Sequence, residues 1–214
     1  MTRLLLADGH RSFVEALGML LDSEPSLEVV ATVAEADAAL RVVRSEPVDV
    51  AVLTVDGGGN GCLAAGRELL AVRPQLKLVA VAADDDVTLL ARAVREGFRG
   101  WVTKARGVAS LLEVLDAVVR GETSIPPLLL TGLLAHLLQE HEQTYEAGTR
   151  LAALTGRERE VLKAIASGES RQVIADELAI STNTLRTHLQ SILTKLEVHT
   201  TLAAVALARR GGVG

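Results

Sequence analysis

The residues that could perform catalysis or bind a phosphate or a metal form three small clusters. The glycine-rich loop at residues 57–61 could cradle a phosphate, but no Gly-Lys-Ser/Thr follows it and the chain contains no Gly-x-Gly-x-x-Gly pattern. The three aspartates at residues 84–86 could bind a metal, although acids at the start of a predicted helix more often stabilise its N-terminus. Glu158 and Glu160 could act as an acid–base pair, but solvated or ion-paired helix residues are the better interpretation. We therefore predict a flexible loop at 57–61, no catalytic residue, no metal site and no cofactor.

A second group of polar side chains has the spacing expected on one face of a helix. Residues 171–178, a turn at 179–181 and a helix from Thr182 form a helix–turn–helix pattern. The face opposite its apolar residues carries Thr184, Arg186, Thr187, Gln190 and Lys195. The second helix of this motif enters the major groove, where polar side chains meet base edges and phosphates. Any three-helix bundle also has one polar face, so the spacing alone leaves DNA binding and a purely structural bundle open.

The first 124 residues alternate short apolar runs with segments of helical spacing. The apolar runs are residues 4–7, 29–33, 48–55, 78–83 and 100–103. Nearly continuous runs of this kind are typical of strands buried on both faces of a parallel sheet. Five strands alternating with five helices predict an open, doubly wound α/β domain, whose functional groups gather at the carboxyl ends of the strands.

From Ile125 onward the pattern is helical. Pro126 and Pro127 open a leucine-rich amphipathic segment that extends to about residue 143, and the polar residues 144–150 are expected to form a hinge. Three or four short helical patterns follow, with no strand between them. We predict an α/β domain at 1–124, a helical linker at 125–150 and an all-α domain at 151–214.

Composition and charge exclude several classes of protein. Charged residues make up 23% and hydrophobic ones 49% of the chain, which fits neither a disordered nor a fibrous protein. The single cysteine, Cys62, excludes an internal disulfide framework. The chain start lacks the pattern of a signal peptide, and no apolar stretch has the length of a membrane span. We expect a cytoplasmic protein that does not contact a membrane.

The net charge of −5 argues against a protein that coats nucleic acid through bulk positive charge. Aromatic residues at 2% also disfavour the base-stacking surfaces of single-strand binders. The charge is unevenly divided, however, because residues 151–214 hold 8 basic and 6 acidic side chains and carry +2. The objection to a nucleic-acid partner therefore does not apply to the helical domain.

The helical domain resembles the LuxR/NarL-type DNA-binding domain. The similarity needs no insertion or deletion in the alignment. The residues that carry it lie within 154–162, 174–181 and 184–196. The resemblance implies a module of four helices, whose third helix enters the major groove of double-stranded DNA and whose last helix, about residues 200–210, dimerises.

The same resemblance implies roles for individual residues. Arg186, Thr187 and Gln190 are the expected base-facing side chains. Contacts to the DNA backbone are expected from Arg171, Gln172, Thr184 and Lys195. Gln190 departs from the Lys or Arg usual at its position, which removes a cation and favours adenine over guanine there. His188 is expected to pack or to contact phosphate rather than to bind a metal.

The α/β domain resembles the receiver domain of two-component response regulators, which commonly precedes this type of DNA-binding domain. The shared features are residues 4–8, 24–30, 47–50, 97–101 and 103–104. In that family a carboxylate at the end of the third strand accepts a phosphoryl group, and two acids after the first strand hold Mg²⁺. A hydroxyl after the fourth strand and a lysine after the fifth then bind the phosphoryl oxygens.

Most of this phosphorylation chemistry is absent from the sequence. Asp8 is followed by Gly9, so one acid remains where two are usual, and Thr54 occupies the position of the nucleophile. Ala82 stands at the end of the fourth strand without a hydroxyl, whereas Lys104 is retained. A threonine hydroxyl cannot form an acyl phosphate, and a pocket with one acid should bind Mg²⁺ poorly. We therefore expect a degenerate receiver pocket.

Two further residues bear on this expectation. Trp101 replaces the usual rotamer-switching aromatic residue and, because it is bulkier, is expected to be fixed. Asp56 is a candidate for phosphorylation in place of Thr54. It is a weak one, because it lies two residues beyond Thr54 and therefore about 6–7 Å from the usual position of the nucleophile along an extended chain.

The resemblances favour a bacterial DNA-binding transcriptional regulator. We expect an atypical response regulator that binds a roughly palindromic site as a homodimer without aspartyl phosphorylation. Constitutive dimerisation, a small-molecule ligand at the receiver or a partner protein would set its activity. The alternatives are a conventional regulator switched by phosphorylation of Asp56 and, less favoured, a nucleotide-binding α/β enzyme.

Overall fold

Five apolar strands form a parallel sheet in the first of two structural units. In the computed structural model, which describes residues 1–55 and 62–212, this unit spans Met1–His136 and the second spans Leu137–Gly214. The strands are β1 Thr2–Ala7, β2 Leu27–Val33, β3 Val50–Val55, β4 Lys77–Ala82 and β5 Phe98–Thr103. Their spatial order, β2-β1-β3-β4-β5, confirms the predicted doubly wound α/β fold. The predictions for Asp56 and for the loop 57–61 fall outside the described residues.

Five helices connect or follow these strands. They are α1 Arg11–Asp22, α2 Ala36–Ser45, α3 Cys62–Val72, α4 Val87–Arg95 and α5 Gly107–Val119. The apolar core includes buried side chains from β1, β3, β4 and β5 and from α1 and α5. Because every described strand pair is parallel, the carboxyl ends of the strands lie at one edge of the sheet. This edge carries the residues that follow each strand.

The helix α6, Pro127–Ala152, is continuous through the segment that the sequence pattern predicts as a hinge. That prediction was wrong because the polar side chains there are accommodated within the helix. The hydroxyls of Thr144 and Thr149 donate to the carbonyls of Glu140 and Tyr145, four residues earlier, at 2.9 and 3.0 Å. The division between the two units falls inside α6, and the bounds 1–124, 125–150 and 151–214 stay a prediction. Neither α6 nor any other helix in the described part of the chain is long and apolar enough to cross a membrane.

Four short helices form the remainder of the second unit. They are α7 Gly156–Ala166, α8 Arg171–Glu177, α9 Thr182–Lys195 and α10 Thr201–Arg210. Each begins after a serine or threonine whose hydroxyl accepts a backbone N–H of the first turn, which explains where the helices start. Their buried faces share one apolar core, as the helix–turn–helix pattern predicts.

The turn between α8 and α9 contains a left-handed residue that is not glycine. Ala179 has a φ of 52°, and the next residue, Ile180, donates its N–H to the carbonyl of Ala175 at 2.9 Å. This bond closes the end of α8 in the manner of a Schellman motif, where the left-handed position is usually glycine. A side chain with a Cβ is strained there.

We expect Ala179→Gly to raise the free energy of unfolding by about 0.5–1 kcal/mol, because relief of left-handed strain exceeds the added entropy of the unfolded chain. Urea denaturation of the full chain measures the change. Ala206→Gly, on the exposed surface of α10, is the matched control and should lower stability by about 1 kcal/mol. A loss of stability in both variants would contradict the assignment of strain to Ala179.

Candidate functional site

The carboxyl edge of the sheet brings together three side chains that are distant in sequence. Asp8 follows β1, Thr54 lies near the end of β3, and Lys104 follows β5. The Thr54 hydroxyl donates to Asp8 Oδ2 at 2.6 Å, and the Lys104 ammonium donates to the same oxygen at 2.7 Å. The residues expected at a phosphorylation pocket therefore bond to one another.

The second carboxylate oxygen of Asp8 is also occupied. Asp8 Oδ1 accepts the backbone N–H of His10 at 2.7 Å and lies 3.0 Å from His10 Nδ1. A carboxylate has about four lone-pair sites, so these four contacts match its capacity to accept hydrogen bonds. The role of His10 was missed from the sequence, although an Asp side chain commonly accepts the backbone N–H two residues further along in such a turn.

Asp8 is almost fully buried, with 2% of its surface exposed. Burial raises the pKa of its carboxyl group, but hydrogen bonds from Lys104, Thr54 and His10 outweigh burial and leave the pKa below its ordinary value. Asp8 is thus an ionised carboxylate that holds the Lys104 ammonium. Lys104 Nζ also lies 4.1 Å from the centre of the Phe13 ring, a cation–π distance that the sequence did not indicate.

The other residues of the predicted pocket lie around this cluster. A Cβ placed on Gly9 would have no heavy atom within 4 Å, so glycine is not required there by lack of space. Ala82 is fully buried and pairs with Thr103 in β5. Trp101 is 1% exposed, and its Nε1 lies 3.4 Å from Asp85 Oδ1. Its polar contact is therefore to the β4–α4 loop and not to Asp8.

The three consecutive aspartates of that loop do not share one role. Asp86 accepts the N–H groups of Thr88 and Leu89 at 2.8 and 3.2 Å, which confirms that it stabilises the start of α4. Asp85 lies 3.5 Å from Arg106 Nη2. Within residues 1–55 and 62–212, no group of three or more His, Cys, Asp or Glu is arranged to hold a metal ion.

The second unit presents most of the predicted DNA-contacting side chains on its surface. The exposed ones are Arg171, Gln172, Thr184, Arg186, Thr187 and Gln190. They lie on α8 and α9, whose opposite faces are buried in the core of the unit. His188 is half-buried. The structure thus places these side chains where a duplex could reach them.

Lys195 differs from the other predicted contacts because its ammonium is held within the protein. It donates to Glu158 Oε2 at 2.7 Å, and Ser191 donates to Glu158 Oε1 at 2.7 Å. The same carboxylate accepts the backbone N–H of Thr155 at 2.8 Å and completes a capping box at the start of α7. Lys195 therefore has a structural role that the sequence spacing did not indicate, and its contact to the DNA backbone stays a prediction.

Glu158 is 4% exposed and ties α7 to α9. Burial raises its pKa, but hydrogen bonds from Lys195, Ser191 and Thr155 prevail and lower the pKa to about 2. This confirms the interpretation of Glu158 as an ion-paired helix residue. Because Ser191 and Lys195 are both on α9, the carboxylate also fixes the rotation of the helix that carries Arg186 and Gln190.

Both halves of the chain match known protein families. Residues 4–116 match the family described as "Response regulator receiver domain", and residues 152–208 match "Bacterial regulatory proteins, luxR family". The chain is a response regulator of the NarL/LuxR type. Members of this type are DNA-binding transcriptional regulators and not enzymes.

Relatives of this response regulator match it over nearly its whole length. The transcriptional regulatory protein DegU of Brevibacillus brevis is 28% identical, over 98% of this chain and 94% of DegU. The glycerol metabolism activator of Pseudomonas putida is 29% identical, over 97% of this chain and 95% of the activator. The RcsB response regulator of Salmonella typhimurium shares the fold with a TM-score of 0.56 at 19% identity, over 98% of this chain and 100% of RcsB.

We expect Glu158→Gln to lower the stability of this response regulator at pH 7 by about 1–3 kcal/mol, since a neutral amide loses the charge-assisted bonds to Lys195 and Ser191. The pKa of Glu158 is depressed in the folded state, so its contribution is present above the ordinary pKa of a glutamate and is lost as the pH falls towards about 2. The difference between variant and wild type should therefore shrink over that range.

Chemical denaturation at a series of pH values measures this difference. Glu160→Gln is the matched control, because Glu160 is exposed on the same helix and pairs only at the surface with Arg157. Equal effects of the two substitutions would contradict a special role for the buried carboxylate.

Proposed function

We propose that this response regulator binds a roughly palindromic site in double-stranded promoter DNA as a homodimer, and that its receiver domain works without aspartyl phosphorylation. The observation that carries the second part is the hydrogen bond from Thr54, at the nucleophile position, to the buried carboxylate of Asp8. We place this function in the cytoplasm, where promoter DNA is found.

The occupied carboxylate argues against Mg²⁺ binding at the receiver edge. Mg²⁺ requires near-ideal octahedral geometry and is usually held through one or two carboxylates. Four donors from Thr54, Lys104 and His10 already surround the oxygens of Asp8, and Gly9 supplies no second acid. A metal ion would have to displace at least one of these donors.

Of the two groups expected to bind the phosphoryl oxygens, one is already paired and the other is missing. The Lys104 ammonium is paired with Asp8, and Ala82 has no hydroxyl to offer. Phosphorylation at Asp56, the conventional alternative, would require a reacting carboxylate displaced by two residues from the usual position. The experiment below separates these mechanisms.

We expect no phosphoryl mass increase when the full chain is incubated with acetyl phosphate and Mg²⁺, and no fluorescence change of Trp101, its single tryptophan, with beryllofluoride. Intact-mass spectrometry and emission spectra are the measurements. The variant carrying both Gly9→Asp and Thr54→Asp restores the missing acids and serves as the comparison, because the site at Gly9 has space for a side chain. A phosphoryl adduct on the wild type that disappears in Asp56→Asn would establish the conventional mechanism instead.

The DNA-binding proposal is supported by the exposed side chains of α8 and α9. Arg186 and Gln190 lie on the surface of α9, and Arg171 and Gln172 lie at the start of α8. Residues 151–214 carry only +2, so one copy should bind phosphates weakly. Two copies on one site would raise the affinity of each through the effective concentration of the other.

The last helix carries a strongly exposed apolar side chain that a second copy could cover. Ala204 and Ala208 of α10 are buried in the core, whereas Leu202 on the same helix is 79% exposed. An apolar side chain this exposed on the helix that the family resemblance assigns to dimerisation supports pairing through α10. Control of that pairing, a small-molecule ligand at the receiver or a partner protein would supply the signal that phosphorylation does not.

We expect a palindromic duplex to bind at least about tenfold more tightly than a single half-site, and Leu202→Gln to remove this advantage. Fluorescence anisotropy at fixed salt measures both affinities. The half-site duplex is the internal control, because the substitution leaves the DNA-facing side of α9 unchanged and should not alter half-site affinity. Equal binding of the wild type to both duplexes would contradict the dimer.

A further inference from the structure

The line of α9 opposite its buried face carries a polar residue that the sequence spacing did not single out. The buried face consists of Leu185, Leu189 and Ile192 and is continued by Leu196, the residue that follows α9. With 3.6 residues per turn, the diametrically opposite line passes through Asn183, Thr187, Gln190 and Thr194. All four are exposed. Asn183 is therefore as central on this surface as Gln190, and Arg186 lies on its flank.

The two threonines of this line do not direct their hydroxyls outward. Thr187 Oγ1 donates to the carbonyl of Asn183 at 3.1 Å, and Thr194 Oγ1 donates to the carbonyl of Gln190 at 3.0 Å. Each hydroxyl is thus engaged with the backbone of its own helix. The amides of Asn183 and Gln190 are left as the hydrogen-bonding groups of the line.

These amides have no structural task in the fold. Ser181 caps the start of α9 through the N–H of Thr184, so Asn183 is not needed as a cap. Within residues 1–55 and 62–212, the side chains of Asn183, Arg186 and Gln190 have no hydrogen-bond partner. The hydrogen-bonding groups of three side chains are therefore available to an external ligand on one side of the helix.

The chemistry of these groups corresponds to particular base edges. An asparagine or glutamine amide forms two hydrogen bonds with N6 and N7 of adenine. An arginine guanidinium forms two hydrogen bonds with O6 and N7 of guanine. Seven residues separate Asn183 from Gln190, which is about 10.5 Å along a helix axis. Because a recognition helix follows the inclined major groove and not the DNA axis, that length spans at most about three base-pair steps of roughly 3.4 Å each.

We infer that each half-site contains two A·T pairs separated by no more than about three base-pair steps, one read by Asn183 and the other by Gln190, with a G·C pair between them read by Arg186. The inference rests on the proposed DNA-binding function and specifies its ligand. Asn183 is accordingly a specificity-determining residue. Being uncharged, the two amides add base discrimination without adding phosphate attraction.

Selection of bound sequences from randomised duplexes by the full-length protein tests the inference. The wild type should enrich two adenines at the stated spacing, and replacing either A·T pair by G·C should weaken binding by about 5- to 100-fold. Asn183→Ala should lose the preference at one position only, and Gln190→Ala at the other. Gln190→Lys should convert its adenine preference to guanine, and Arg186→Ala should lose the central guanine.

Gln139→Ala is the matched control, because Gln139 is an exposed amide on α6 and should leave every preference intact. An enriched motif without the paired adenines, or a motif unchanged in Asn183→Ala, would overturn the inference while leaving DNA binding in place. If the wild type enriches no sequence and binds no duplex at low salt, the proposed function fails as well.

Discussion

A buried carboxylate needs donors for all of its lone pairs, and each unit of this response regulator contains one that is satisfied in the same manner. Asp8 and Glu158 are 2% and 4% exposed. Each accepts an ammonium from a lysine on a distant element, a side-chain hydroxyl and a backbone N–H close in sequence. Loss of one partner would leave an uncompensated buried charge, which is strongly unfavourable.

The two carboxylates have opposite consequences for the proposed function. In the second unit, Glu158 draws Ser191 and Lys195 towards α7 and so holds the outer surface of α9 in one orientation. A reader of base edges benefits because its side chains are positioned before DNA arrives. In the first unit, Asp8 engages Thr54 and also Lys104, the lysine expected to bind a phosphoryl oxygen. Under the proposed function, the same kind of interaction supports the DNA-binding surface and disfavours phosphorylation of the receiver.

Much of this organisation could be predicted from sequence because periodic patterns are local. The apolar runs located all five strands to within a few residues, and the helix–turn–helix pattern located α8 and α9. The family resemblance identified Thr54 as the residue at the nucleophile position. The hinge at 144–150 was a wrong prediction, since polar composition does not reveal that threonine hydroxyls bond four residues back within a helix.

The pairing of charges could not be predicted, because it depends on contacts across the fold. Lys104 meets Asp8 from 96 residues away, and Lys195 meets Glu158 from 37 residues away. Both lysines have the residue type expected of a phosphate ligand, and sequence alone does not say which anion they bind. Asn183 was overlooked for a different reason. The apolar face of α9 is evident from the sequence, but only the structure shows that Thr187 and Thr194 bond to carbonyls of their own helix and leave the amides as the available groups.

The open space at Gly9 has a consequence for redesign of the receiver. A Cβ there would meet no neighbour, so a side chain can begin at this position without any repacking of the core. The chemistry of this edge of the sheet can therefore be altered almost independently of the packing that holds the domain together.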